Sequence, residues 1–188
     1  HDSVHQDVLI LEYLQNGKYR EAQTYFEKKI AATKKKSKNR YTGIEVLNLM
    51  LNYEIEQAEE KAIRVKCAVE AYHCPVDETE LCIIIGNLFD NAIEAVERLG
   101  DVDSPIIIKL IYRDEKIYVY TENPSEKLEE DFSKDFIKSS KSDRFGVGIK
   151  SIKLRLEKLK GFYNFKYEDG FFKVLIIVPC KLQNQSSL

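Results

Sequence analysis

Between Asp77 and Gly100 the chain places Leu81, Ile85, Leu88, Ala92, Ala95 and Leu99 three or four residues apart, and both ends are punctuated. Pro75 followed by Asp77-x-x-Glu80 reads as a capping-box start, and Gly100 as the stop. A helix with one long apolar ridge must lay that ridge on another layer. The flanking sequence supplies a sheet. Val65 to Ala71 reads as a strand, and Ile106 to Tyr112 and Lys116 to Thr121 are two β-rich runs joined by Arg113-Asp114-Glu115 as a hairpin. Ile149, Ile152, Leu156 and Leu159 form a further helical ridge, opened by Gly146-Val147-Gly148 and closed by Gly161. Tyr163 to Tyr167 and Phe171 to Val178 then pair across Asp169-Gly170. Helices and antiparallel strands segregate, so an α+β fold is expected, with a two-layer α/β sandwich over residues 64 to 182 in a domain reaching 188.

The N-terminal third has no strand pattern. Val4, Val8, Leu11 and Leu14, then Ala22, Phe26 and Ile30, follow helical spacing, with Asn16-Gly17 as a bend. Lys34 to Arg40 contains no apolar residue and reads as a solvated turn. Thr42-x-x-Glu45 is a second capping-box signal, followed by a narrow stripe of Ile44, Leu47, Leu51, Ile55, Ala58 and Ala62. Two such helices cannot cover both stripes alone. Pairing with a second copy as a four-helix bundle would cover them, so residues 1 to 63 are expected to form a homodimerisation hairpin. The alternative is that both helices pack on the rest of the chain.

Bulk properties narrow the class. With 188 residues, 44% of them hydrophobic, the chain has enough material for a buried core as one ordinary domain or two small ones. Lys+Arg 29 against Asp+Glu 31 gives a formal charge of −2, which does not select nucleic acid. No apolar run approaches the roughly 20 residues of a membrane span, and no signal peptide is evident, so the piece is expected to work in water. Cys67, Cys74, Cys82 and Cys180 form no C-x-x-C pair and lie in or beside apolar segments, as free thiols do in a reducing compartment. His1 and His5 are one helical turn apart but have no evident acidic third ligand nearby, and His73 reads as a strand-end surface residue.

Two constellations carry chemistry. Asn87, Asn91, Glu94 and Arg98 fall at i, i+4, i+7 and i+11, a polar stripe beside the apolar ridge. Asn is a poor helix former because its side chain competes for backbone hydrogen bonds, so two of them within an apolar helix need a reason. One is that amide oxygens ligate Mg²⁺, which accepts few protein ligands when phosphate completes its shell; the other is that they cap neighbouring loops. The second constellation is Arg144-Phe145-Gly146-Val147-Gly148-Ile149-Lys150-Ser151. Glycines at a helix mouth allow close approach, and first-turn N–H groups favour anions, which together make a phosphate cradle. Between the two lies Asn123 to Arg144, polar, weakly patterned and too long for an ordinary connection, hence a lid or a disordered segment.

These residues carry a resemblance. Asn87-Leu88-Phe89-Asp90-Asn91-Ala92-Ile93-Glu94-Ala95 resembles the N-box of GHKL ATPases, and Phe145-Gly146-Val147-Gly148-Ile149-x-Ser151-Ile152 resembles their glycine box. With His1-Asp2 opening a dimerisation-type helix and Asn123-Pro124 closing a strand, the chain resembles the cytoplasmic part of AgrC-like, quorum-sensing-type sensor histidine kinases over nearly its whole length.

That resemblance implies a Bergerat-type ATP-binding domain over residues 64 to 188 that takes ATP and Mg²⁺. Asn91 and Asn87 would hold the ion, Asp90 would belong to the nucleotide site, and Gly146 and Gly148 would flank the triphosphate. Asn123 would stand where most histidine kinases place the adenine-reading Asp of a D-x-G box. The D-x-G-x-G motif itself does not occur, and Phe145 stands where relatives often carry His. In Phe136 to Lys141, Lys138 and Lys141 are the candidate phosphate contacts. His1 would be the phosphoacceptor, with His5 as fallback, and Asp2 would take its proton. A hinge near Ala62 to Val65 would let the nucleotide domain swing toward His1. The resemblance also implies a response regulator as partner, an upstream membrane sensor domain and a cytoplasmic location. Two alternatives remain at this point. One is a dimeric nucleotide-binding scaffold without kinase activity, the other a GHKL ATPase or serine kinase acting on a separate protein.

Overall fold

The computed structural model describes residues 12–13, 15–21, 23–24, 39–72, 75–126 and 147–180. The chain forms two compact units, His1–Lys38 and Asn39–Leu188. In the first, helical residues flank a turn at Asn16-Gly17, where Gly17 takes φ +68°. The side-chain amide of Asn16 donates to the Glu12 carbonyl at 2.9 Å, closing the bend expected there.

The second unit opens with helix α1 (Glu45–Glu60), followed by strand β1 (Val65–Glu70) and helix α2 (Glu78–Leu99). Strands β2 (Ile106–Arg113) and β3 (Lys116–Pro124) come next, then helix α3 (Val147–Leu159) and strands β4 (Phe162–Glu168) and β5 (Phe171–Pro179). The five strands make one sheet in the order β1-β2-β3-β5-β4. β1 runs parallel to β2, in register Val65 with Ile106, and the other three pairs are antiparallel. The parallel pair follows from α2, whose length carries the chain back to the end from which β1 started. Both expected hairpins are present. Each turns on two residues with positive φ, Asp114 (50°) with Glu115 (55°) and Asp169 (53°) with Gly170 (84°), the handedness that suits the strand twist.

The core lies between the sheet and its helices. Ile108, Leu110, Ile117, Val119, Val174 and Ile176 face Leu81, Ile85, Leu88, Ile152 and Leu156. Alternate residues point the other way, where Lys109, Ile111, Arg113, Tyr118, Tyr120 and Leu175 line a cleft of about 390 Å³. The α2 ridge is broader than its periodicity suggests. Ile84, Phe89, Ile93 and Val96 are also buried, because α2 packs against α1 and α3 as well as the sheet. Leu99, expected inward, is 39% exposed at the helix end, just before Gly100 turns left-handed at φ +74°.

Three local expectations require correction. The α1 stripe, read as a bundle face, is used inside the larger unit. Leu47, Leu51 and Ala58 are fully buried in its apolar clusters, so α1 packs within the unit that holds the sheet. Ala62, placed on the stripe, is exposed beyond the end of α1, while Glu54, which lies off the stripe, is buried. Thr42 does not cap α1. Ile44 is the N-cap, Thr42 Oγ1 accepts from the Ile44 N–H, and Asn48 Oδ1 accepts from the N–H groups of Tyr41 and Thr42, so a side chain from inside the helix ties down the incoming chain.

Among the described residues no helix is long and apolar enough to cross a membrane. Cys67 and Cys82 are half-buried and Cys180 buried, all three as thiols outside any disulfide, and burial pushes the first two up to about 11. His5, His73 and Cys74 lie outside the described residues.

Candidate nucleotide site

The site is built where α3 starts against the middle of α2. Asp77 caps α2 by accepting from the Glu80 N–H at 3.1 Å, and from there the helix carries Asn87 and Asn91 one turn apart, both half-buried. Asn87 Nδ2 donates to the Ile83 carbonyl at 2.7 Å and lies 3.5 Å from Ser151 Oγ on α3. Because that amide hydrogen goes back into its own helix, the Asn87 oxygen is turned outward.

Gly148 meets these amides directly. A methyl group on Gly148 would lie 3.0 Å from Asn91 Oδ1, 3.2 Å from Asn87 Oδ1 and 3.2 Å from Asn91 Nδ2. The two constellations, more than fifty residues apart in sequence, therefore share one point in space, and a side chain at 148 would crowd both amides. Two amide oxygens converge there at the mouth of a helix, whose first-turn N–H groups have no intrahelical partners. Among the described residues no group of three or more His, Cys, Asp or Glu assembles as a metal site. A cation held here would take amide oxygens from the protein and the rest of its shell from phosphate, which matches the coordination habits of Mg²⁺.

Asp90 lies on a different side of α2. Burial raises its pKa, Glu94 raises it further and Lys61 lowers it, while its charge in turn raises Glu54 on α1. The structure thus gathers Asn87, Asn91 and Gly148 and turns Asp90 toward α1. Asn123 is buried at the end of β3, where its Nδ2 donates to the Pro124 carbonyl at 2.9 Å. His1, Asp2, Lys138, Lys141 and Gly146 lie outside the described residues.

Sequence reasoning missed two buried carboxyl groups, one on α2 and one on α1. Glu80, 7% exposed, receives Arg155 Nη1 at 3.1 Å and the Lys158 ammonium, both from α3. Its position seven residues before Asn87, on the same face of α2, was the available signal. Glu54 is 8% exposed, with its Oε1 3.6 Å from where a methyl on Gly86 would stand, and burial followed by the Asp90 charge pushes it up to about 7. No pattern in α1 marked it.

Residues 76–179 match the GHKL domain family, which is more than half of the chain. The protein belongs to that family. Its fold is similar to those of solved histidine kinases. The Acinetobacter baumannii histidine kinase AdeS matches over 97% of this chain and 98% of its own, at 11% identity and a TM-score of 0.58. The mycobacterial sensor histidine kinase MprB covers 72% of this chain and 93% of its own, at 18% identity and a TM-score of 0.53. ShkA, solved full-length in complex with AMPPNP, covers 71% of this chain and 29% of its own, at 18% identity and a TM-score of 0.52. Among curated proteins none matches the chain by sequence.

Proposed function

We propose that this protein is the kinase portion of a two-component sensor: it binds Mg-ATP, phosphorylates its own His1 and passes the phosphoryl group to an Asp of a response regulator. The observation that carries the reading is the seat of Gly148, where a methyl group would come within 3.2 Å of the side-chain amides of both Asn87 and Asn91. Packing alone would be served by small apolar residues at 87 and 91. Amide oxygens at a glycine-lined helix mouth serve a ligand that brings both a cation and phosphate.

Asn91, with Asn87, would hold Mg²⁺, which when bound neutralises charge on the phosphates and orients them. The backbone of Gly146 and Gly148 would lie along the triphosphate, and Lys138 and Lys141 would add positive charge from the segment before α3. Phosphoryl transfer asks for positioning and charge stabilisation more than for covalent work by the protein. Neutral imidazole at His1 would supply the lone pair, the bond from the γ-phosphorus to the ADP oxygen would break, and Asp2 would take the ring proton. With an ordinary pKa of about 6.5, most of that imidazole is neutral at physiological pH. Asn123 would offer its oxygen to the adenine amino group. Homodimerisation is assigned to the N-terminal helical segment, a membrane sensor domain is expected upstream, and the site is expected to face the cytoplasm.

Incubation of the full chain with labelled ATP and Mg²⁺ tests this. Acid-labile label lost in His1→Gln is the expected result. Nucleotide binding with no label would make the protein a scaffold, and acid-stable label on a separate protein would make it a kinase of another substrate.

A further inference from the structure

Helices α2 and α3 meet along a series of rungs. Gly148 lies against Asn91 and Asn87, Ser151 opposite Asn87, and Arg155 with Lys158 on Glu80, so positions rise on α3 as they fall on α2 and the helices run antiparallel. Glu80, Asn87 and Asn91 share one face of α2, at i, i+7 and i+11. Apolar contacts from Ile152 and Leu156, both essentially buried, hold the helices together. Such contacts are non-directional, so they resist separation far better than they resist sliding. The Glu80 rung is directional, and it is the charged one.

Two details show that this rung is more than an incidental surface pair. Glu80 occupies the third position of a capping box, where a carboxylate commonly reaches back to the N-cap N–H. Here only the Asp77 half of the box forms, and the Glu80 carboxylate crosses instead to α3. Arg155 keeps its place even though its Nε is buried with no hydrogen-bond partner, an arrangement that costs stability and that a shorter side chain would avoid. The directional bond from Nη1 to Glu80 is what that arrangement retains.

The site at the other end has little tolerance. A methyl group on Gly148 would stand only 3.0–3.2 Å from the amides, so a slide of about an ångström, less than the 1.5 Å rise of one helical residue, would change how α3 seats there. We propose that Glu80, gripped by Arg155 and Lys158, is a positioning residue that sets the axial register of α3 on α2 and so keeps Gly148 seated against Asn87 and Asn91. The clasp acts from about 10 Å along the helix from Asn87 and touches no nucleotide. This inference rests on the Mg-ATP reading above.

The test uses the full chain, with wild type and Glu80→Gln titrated by Mg-AMPPNP under conditions where circular dichroism shows both folded. The ¹H–¹⁵N side-chain resonances of Asn87, Asn91 and Asn123 are recorded without nucleotide. The expected result is a rise in Kd of at least fivefold, with Asn87 and Asn91 resonances shifted and Asn123 unmoved. A merely stabilising ion pair would lower Tm and leave native-state resonances and Kd in place. A Kd within twofold of wild type overturns the clasp, as does a raised Kd with Asn87 and Asn91 unmoved. Should Glu80→Gln fail to fold, Arg155→Gln is read by the same criteria. Wild type that does not bind Mg-AMPPNP overturns the Mg-ATP reading and the clasp together, whereas an unaffected Glu80→Gln in a binding wild type overturns the clasp alone.

Discussion

Glu54 faces Gly86 across the contact of α1 with α2, and both burial and the Asp90 charge disfavour its ionised form. Its carboxyl is held at about 7, against 4.5 in an unfolded chain. A raised pKa means that the stability associated with this group is fully present below about 4.5 and is lost as pH rises through about 7. Glu54→Gln removes the titration. Urea melts across pH should therefore find the two proteins equally stable near pH 4.5, with the variant ahead by on the order of 2 kcal/mol at pH 8. A stability difference independent of pH would contradict the assignment. At this scale sequence is most legible where side-chain chemistry repeats with a period, as Asn87 and Asn91 do on one face of α2. It is less legible where one polar residue such as Glu54 departs from the pattern of its helix, since α1 shows a charged position and gives no sign of what packs over it.

Helix ends show how much an element reveals of itself. Gly100 was legible because left-handed φ favours glycine. The end of α1 was not, because Ala62 takes that role at φ +59°, with its N–H on the Glu59 carbonyl and the Ile63 N–H on the Ala58 carbonyl. This is a Schellman motif, sealed by buried Ile63 and Ala58, and it carries a strained non-glycine residue. Ala62→Gly is expected to raise unfolding free energy by about 0.5–1 kcal/mol in denaturant melts with the slope unchanged, and a loss of stability would contradict the strain. At the end of α3 the two roles are divided between neighbours. Lys160 takes the positive φ of 54°, while Gly161 is small because a methyl there would come within 2.8 Å of Leu156 Cδ2 and 3.1 Å of the Ile177 carbonyl. Sequence marked the glycine correctly as a stop. The reason for it is close packing, and that depends on β5, which no local window contains.

Across the molecule, the layers were legible and the partition of the chain was less so. Alternation in β2, β3 and β5 and the ridges of α2 and α3 specify a sheet with helices on one face, and that is the architecture present. The parallel pairing of β1 with β2, and the place of α1 within the larger unit, are decided by tertiary contacts; a narrow apolar stripe is the same signal whether it meets a second copy or its own domain. The candidate site was legible because its two halves each carry chemistry in short motifs, although only the structure could show that they touch. That convergence is best tested by calorimetric titration of the full chain with AMPPNP, with and without Mg²⁺, in wild type and Asn91→Ala. The account predicts Mg²⁺-dependent binding by wild type and a loss of about tenfold or more, roughly 1.4 kcal/mol at least, in the variant. Equal affinity in the two proteins would contradict it.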